Sequence, residues 1–97
     1  MAAENHAKSS YELSESSLVY SGSCVLWSVV ILTDGTNAAT VTIYDNTSGS
    51  GNKLAEFVVP GANRYGGRNW IRPVGAKVGI YAAISGIGAK CFVEYDA

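Results

Sequence analysis

Turn-forming clusters punctuate this chain about every ten residues, and the segments between them read as strands rather than helices. Ser21-Gly22, Asp34-Gly35-Thr36-Asn37, Thr47 to Asn52, Pro60-Gly61, Pro73 and Gly86-Ile87-Gly88 leave no interval with an apolar repeat of helical period. What lies between them is either alternating or continuously apolar. Thr40, Thr42 and Tyr44 alternate with Val41 and Ile43, and Val78, Ile80, Ala82 and Ile84 share one face of a later strand. Such spacing predicts an all-β chain: a single small antiparallel β-sandwich, jelly-roll or immunoglobulin-like, of about seven or eight strands. At 97 residues there is room for one domain with a thin core. A polar arm is expected over residues 1–10 and the sandwich over residues 11–97, with strands near Tyr11–Leu13, Leu18–Tyr20, Cys24–Thr33, Ala39–Asn46, Lys53–Val59, Asn69–Arg72, Lys77–Ser85 and Ala89–Tyr95.

The run from Cys24 to Thr33 differs from the others because it is apolar on both alternating faces. Strict alternation puts Val25, Trp27, Val29 and Ile31 on one side and Cys24, Leu26, Val30 and Leu32 on the other. A two-layer sandwich covers only one of these, so a partner is expected on the second. The longest apolar stretch, Cys24 to Leu32, falls far short of the roughly 18–20 residues of a membrane-spanning helix. The first residues, Met1 to Lys8, carry no basic segment followed by an apolar one and do not read as a secretory signal.

Candidate chemistry is sparse. The single histidine, His6, lies in the polar arm and reads as a solvated residue, so no catalytic triad is expected. Cys24 and Cys91 lack zinc or redox spacing; they read as buried free thiols or as a disulfide between an early strand and the last. Asp34 and Asp45 suit turns, where a carboxylate accepts backbone amides; with Asn37 and Asn46 they could ligate calcium only if two loops met. The Gly-rich segments do not open a helix and do not resemble phosphate loops. No metal, cofactor or catalytic residue is therefore expected. The cluster Arg64, Tyr65, Arg68 and Trp70 carries the residue types that concentrate binding energy, and Trp27 on the two-faced strand joins it as a candidate interface. Gly66-Gly67 marks residues 62–68 as a loop able to approach a partner closely. A net charge of -1 argues against a nucleic-acid surface.

The segments Thr33 to Asn46, Ser48-Gly49-Ser50-Gly51, Val58-Val59-Pro60-Gly61 and Arg64-Tyr65-Gly66-Gly67 resemble small β-sandwich proteins among the virion structural genes of tailed bacteriophages. The resemblance covers about residues 18–95. It implies a non-enzymatic virion component, made in the host bacterial cytoplasm: a capsid decoration or cement protein, or a neck or tail accessory protein. Its partners would be the major capsid protein or neck and tail proteins, and further copies of the chain in a homo-oligomer, with neither nucleic acid nor membrane. The reading from another class is a carbohydrate-binding β-sandwich with Tyr65 and Trp70 as a stacking platform.

Overall fold

The structure, a computed structural model, describes residues 8–97. It contains eight strands: β1 (Lys8–Ser9), β2 (Ser17–Ser21), β3 (Cys24–Leu32), β4 (Ala39–Asp45), β5 (Asn52–Val59), β6 (Tyr65–Ala76), β7 (Gly79–Ser85) and β8 (Lys90–Asp96). One 3-10 turn, Gly61–Asn63, joins β5 to β6. No described helix is long and apolar enough to cross a membrane. All pairings are antiparallel, in a front sheet ordered β1-β8-β3-β6 and a back sheet ordered β2-β7-β4-β5.

The pairing is nested. β4 pairs with β5, β3 with β6, β2 with β7 and β1 with β8, as in one long hairpin. That hairpin is rolled so that β3 also meets β8 and β4 also meets β7. This is the jelly-roll arrangement, and it decides between the two sandwich types that the sequence leaves open.

The core lies between the sheets. Leu26, Val29, Ile31, Cys91 and Val93 enter it from the front sheet, and Val41, Ile43, Ile80 and Ala82 from the back; all are fully buried. Burial of each Leu, Ile or Val among them contributes roughly 1.5–3 kcal/mol, which makes this layer the main source of stability.

Three expectations are corrected here. First, β3 does not alternate strictly. Its register against both β8 and β6 shifts between Leu26 and Ser28, leaving Trp27 without a direct partner on either side. This bulge changes the phase of the strand, so Cys24 and Leu26 share the interior with Val29 and Ile31, while Val25, Val30 and Leu32 face outward. Second, residues 65–68 are not a loop. They begin β6, a strand twelve residues long, and run on through Trp70 and Pro73. Pro73 is tolerated because β6 is an edge strand and because residues 70–73 bulge away from β3: Asn69 lies opposite Ser28 and Val74 opposite Leu26. Third, part of the expected arm belongs to the sheet. Lys8 and Ser9 pair with Tyr95 and Glu94 in β8, and the Ser10 amide donates to the Val93 carbonyl at 2.8 Å. Near Tyr11–Leu13 the expected strand reduces to one bridge, Leu13 to Cys91. His6 and the rest of the arm lie outside the described residues.

Candidate interaction surface

The outward face of the front sheet is built on β3. Val25 and Leu32 are half-buried there and Val30 is 39% exposed. β8 adds half-buried Phe92 directly opposite Val30, and β6 adds Tyr65 opposite Leu32, with 70% of its surface exposed. Opposite Val30 and Val25, however, β6 offers only Gly67 and Gly75. Directly opposed side chains in an antiparallel pair normally screen each other, so the two glycines leave the flank of the apolar stripe bare. Val29, Val30, Tyr65, Gly66, Gly67, Arg68 and Asn69 surround a shallow depression there.

Backbone constraints hold that depression open. Gly67 has φ +129°, and a Cβ at this position would fall 1.9 Å from the Val29 carbonyl oxygen. Any side chain here would strain the backbone and push β6 off β3. Gly66 is packed on the interior side, where a Cβ would lie 2.8 Å from Val59. Gly75 is the opposite case, with nothing within 4 Å of where its Cβ would be.

The candidate interface residues separate into different environments. Tyr65 and Arg68 line the depression. Arg64 precedes it with φ +66°, its carbonyl accepting the Thr33 amide at 2.7 Å and its guanidinium lying against Gly35 in the β3–β4 turn. Trp70 turns away from Tyr65 and packs on the core, meeting Phe57 edge-on with ring centroids 6.5 Å apart, and the Arg68 guanidinium sits 5.3 Å above its ring. Trp27 is half-buried at the β3 bulge. The structure thus separates Tyr65, on the outward face opposite Leu32, from Arg68, whose guanidinium lies over Trp70 on the other face; it puts Arg64 just before β6 and gives Trp70 a packing role between β5 and β6. Sequence reading missed Val30, Gly75 and Phe92. Ser28, the one polar residue inside the apolar run, was the signal that could have located the bulge and so placed Val30 outside.

The other candidate groups are accounted for locally. Asp34 accepts the Thr36 and Asn37 amides at 2.8 and 2.7 Å and the Asn37 side-chain amide at 2.8 Å. Those bonds, the Asn37 amide above all, hold its carboxyl below the usual range. Asp45 accepts the amides of Val78, Lys77 and Gly79 and is lowered in the same way. Asp34 precedes β4 and Asp45 is its last residue, so roughly 20 Å of strand keeps their loops from meeting around a calcium ion. Among the described residues no cluster of three His, Cys, Asp or Glu could hold a metal. Cys24 and Cys91 are free and buried. Cys91 lies opposite Ile31, seven positions along β3 from Cys24 and far beyond the reach of a disulfide. Burial pushes the Cys91 thiol up to about 12.

Comparison of the chain with known protein families, curated proteins and solved structures finds no match.

Proposed function

We propose that this chain is a non-enzymatic structural protein of a tailed-phage virion, a capsid decoration or cement protein that binds the head lattice as an oligomer. The observation that carries the reading is the apolar stripe on the outward face of the front sheet, Val25, Val30 and Leu32 with Phe92 and exposed Tyr65, bordered along β8 by Lys90, Glu94 and Asp96. A two-layer fold has no internal use for that face, and a lattice subunit does. The sequence resemblance supplies the virion setting, and the jelly roll agrees with it as a fold that recurs in capsid proteins, an analogy of architecture only. A carbohydrate platform draws no support from the aromatics, because Trp70 is engaged by Phe57 and Arg68 while Tyr65 lies on the other face.

Particles of a tailed phage encoding this chain, purified and analysed by mass spectrometry, should contain it in many copies. Particles stripped of it should rebind the purified protein but not its Val30→Asp variant. A particle without the chain overturns the proposal. Presence in few copies, with unchanged head stability after its deletion, moves the assignment from decoration to the neck or tail.

A further inference from the structure

The sheet edges are guarded unequally. β1 is only two residues long, and β2 and β5 each carry a register shift, between Leu18 and Tyr20 and opposite Ile43–Tyr44, that interrupts the row of outward backbone groups. β6 guards only its second half, where residues 70–73 bulge away and Pro73 has no amide to offer. Its first half, Tyr65 to Asn69, runs against β3 without interruption. The ladder itself tells which way the backbone groups of that half point. The Thr33 amide donates to the Arg64 carbonyl at 2.7 Å, and alternation from there turns Gly66 and Arg68 toward Ile31 and Val29. The far side of β3 agrees, because Cys91 and Val93, opposite Ile31 and Val29, direct their backbone groups away from it, to Leu13 and Ser10. Tyr65, Gly67 and Asn69 are therefore left with their N–H and C=O groups aimed out of the sheet.

Chemistry beside that edge selects what it takes. Gly67 carries no side chain on the outward face, so a residue paired with it lays its own over the glycine, into the depression against Val30. Charge along β6 is of one sign. From Phe57 to Val93 the sequence has no carboxylate side chain, and β6 brings Arg68 and Arg72 to the surface, neither in an ion pair among the described residues. Glu94 and Asp96 lie two strands away, on β8. We infer that β6 takes up an extended segment of a partner protein as a further antiparallel strand, the segment carrying an aliphatic residue opposite Gly67 and carboxylates toward Arg68 and Arg72. A second copy fits poorly: two β6 edges meeting would gather like charges, and Glu94-Tyr95-Asp96, an acidic and apolar alternation in this chain, is held in β8 between β1 and β3. The inference rests on the β6 edge alone, and it stands or falls independently of the virion assignment.

The probe is a capped, fluorescently labelled peptide, Asp-Asp-Thr-Glu-Ile-Ser-Thr, titrated with the purified full chain. Antiparallel pairing sets its Ile opposite Gly67 and its Glu opposite Arg68. Binding should saturate below about 1 mM, weaken as salt rises, and slow hydrogen exchange at the amides of Tyr65, Gly67 and Asn69. Methylating the peptide's Ile nitrogen should weaken binding at least about tenfold, since that amide donates to the Gly67 carbonyl. Arg68→Glu should weaken it by at least about as much. Because Arg68 also lies over Trp70, Asn69→Pro supplies a second reading: it removes an outward amide that the sheet does not use, and should abolish binding with little change in the unfolding midpoint. Failure of the peptide to saturate, equal binding of Lys-Lys-Thr-Lys-Ile-Ser-Thr or of the methylated peptide, binding untouched by Asn69→Pro, or β6 amides already protected in the free chain by pairing with a second copy each overturns the inference.

Discussion

The outer faces of the two sheets are built on the same strand geometry and carry different chemistry. On the back sheet, Thr40, Thr42 and Tyr44 of β4 lie opposite Ser85, Ala83 and Tyr81 of β7, and Thr42, Tyr44 and Thr40 face Glu56, Lys53 and Val58 of β5. Exposed apolar residues are isolated there: Leu18 on β2 and Val58 on β5 stand on opposite edge strands. On the front sheet the central strand instead presents an apolar stripe of Val25, Val30 and Leu32, with Phe92 and Tyr65 beside it and Asp96, Glu94 and Lys90 of β8 along its border. Both sheets fill the core equally well, β4 with Val41 and Ile43 and β3 with Leu26, Val29 and Ile31. The fold is thus satisfied with a polar outer face, as the back sheet demonstrates, and does not itself require the stripe of Val25, Val30 and Leu32 on the front.

The largest expected effects separate residues that build the front sheet from residues that merely border it. Gly67→Ala meets both a φ of +129° and a carbonyl oxygen 1.9 Å from the new Cβ, and should destabilise the protein by about 3 kcal/mol or more. Gly75→Ala, bordering the same apolar stripe in open space, should stay within about 0.5 kcal/mol. Ile43→Ala or Ile80→Ala, in the shared core, should cost about 2–5 kcal/mol. Urea unfolding curves measure all four. Equal losses at Gly67 and Gly75 would mean that β6 is not held against β3 as described.

Next come substitutions that test the two outer faces as binding surfaces. Tyr65→Ala should weaken attachment to phage heads by about 2 kcal/mol, roughly 30-fold, with little change in stability because the ring is 70% exposed. Val58→Asp, on the back sheet and 68% exposed, should leave attachment within about 0.5 kcal/mol of wild type. Titration of stripped heads with labelled protein reads both, and a loss at Val58 with none at Tyr65 reverses the roles of the faces.

Much of this was legible in the sequence, and the failures have local physical causes. Alternation placed Val41, Ile43, Ile80 and Ala82 in the core, since a strand without a bulge keeps its phase. It failed on β3, where one extra residue at Trp27 exchanged the positions of Val29 and Val30. Gly66-Gly67 reads as a loop because glycine is weak in strands; in the fold both are required by packing, one against Val59 and the other against the β3 backbone. Tyr65 is identifiable by residue type, but the surface it joins is not, because that surface depends on β3 and β6 lying side by side across more than thirty residues of intervening chain. Trp70 shows the limit of reasoning from type, its ring being taken up by Phe57.

A smaller effect concerns the turn at the far end of β4. Because the Asp45 carboxyl is held below its usual range by the Val78 and Lys77 amides, its bonds stabilise the fold above the unfolded pKa near 4 and are lost as pH falls through the lower folded value. Wild-type stability should therefore decline below about pH 4, and Asp45→Ala should flatten that decline while costing roughly 1 kcal/mol at neutral pH. Thermal melts of both proteins between acid and neutral pH check the slope. An unchanged slope in the variant removes Asp45 from the acid response.

The smallest expected effect probes the back face at its most charged point. Lys53 and Glu56 pair at 3.4 Å with about half of each side chain exposed, so the ion pair is screened by water and salt, and Lys53→Ala should change stability by no more than about 0.5 kcal/mol. Head attachment should not change either, because the back face already satisfies its own polar groups: Thr42 donates to Glu56 at 3.3 Å, and Lys53 stands beside Tyr44 across the strand pair. A parallel unfolding and binding measurement on Lys53→Ala makes this small number informative. If stability holds while attachment falls, the charged back face is what contacts the head, and the apolar front face is the one left for contacts between copies.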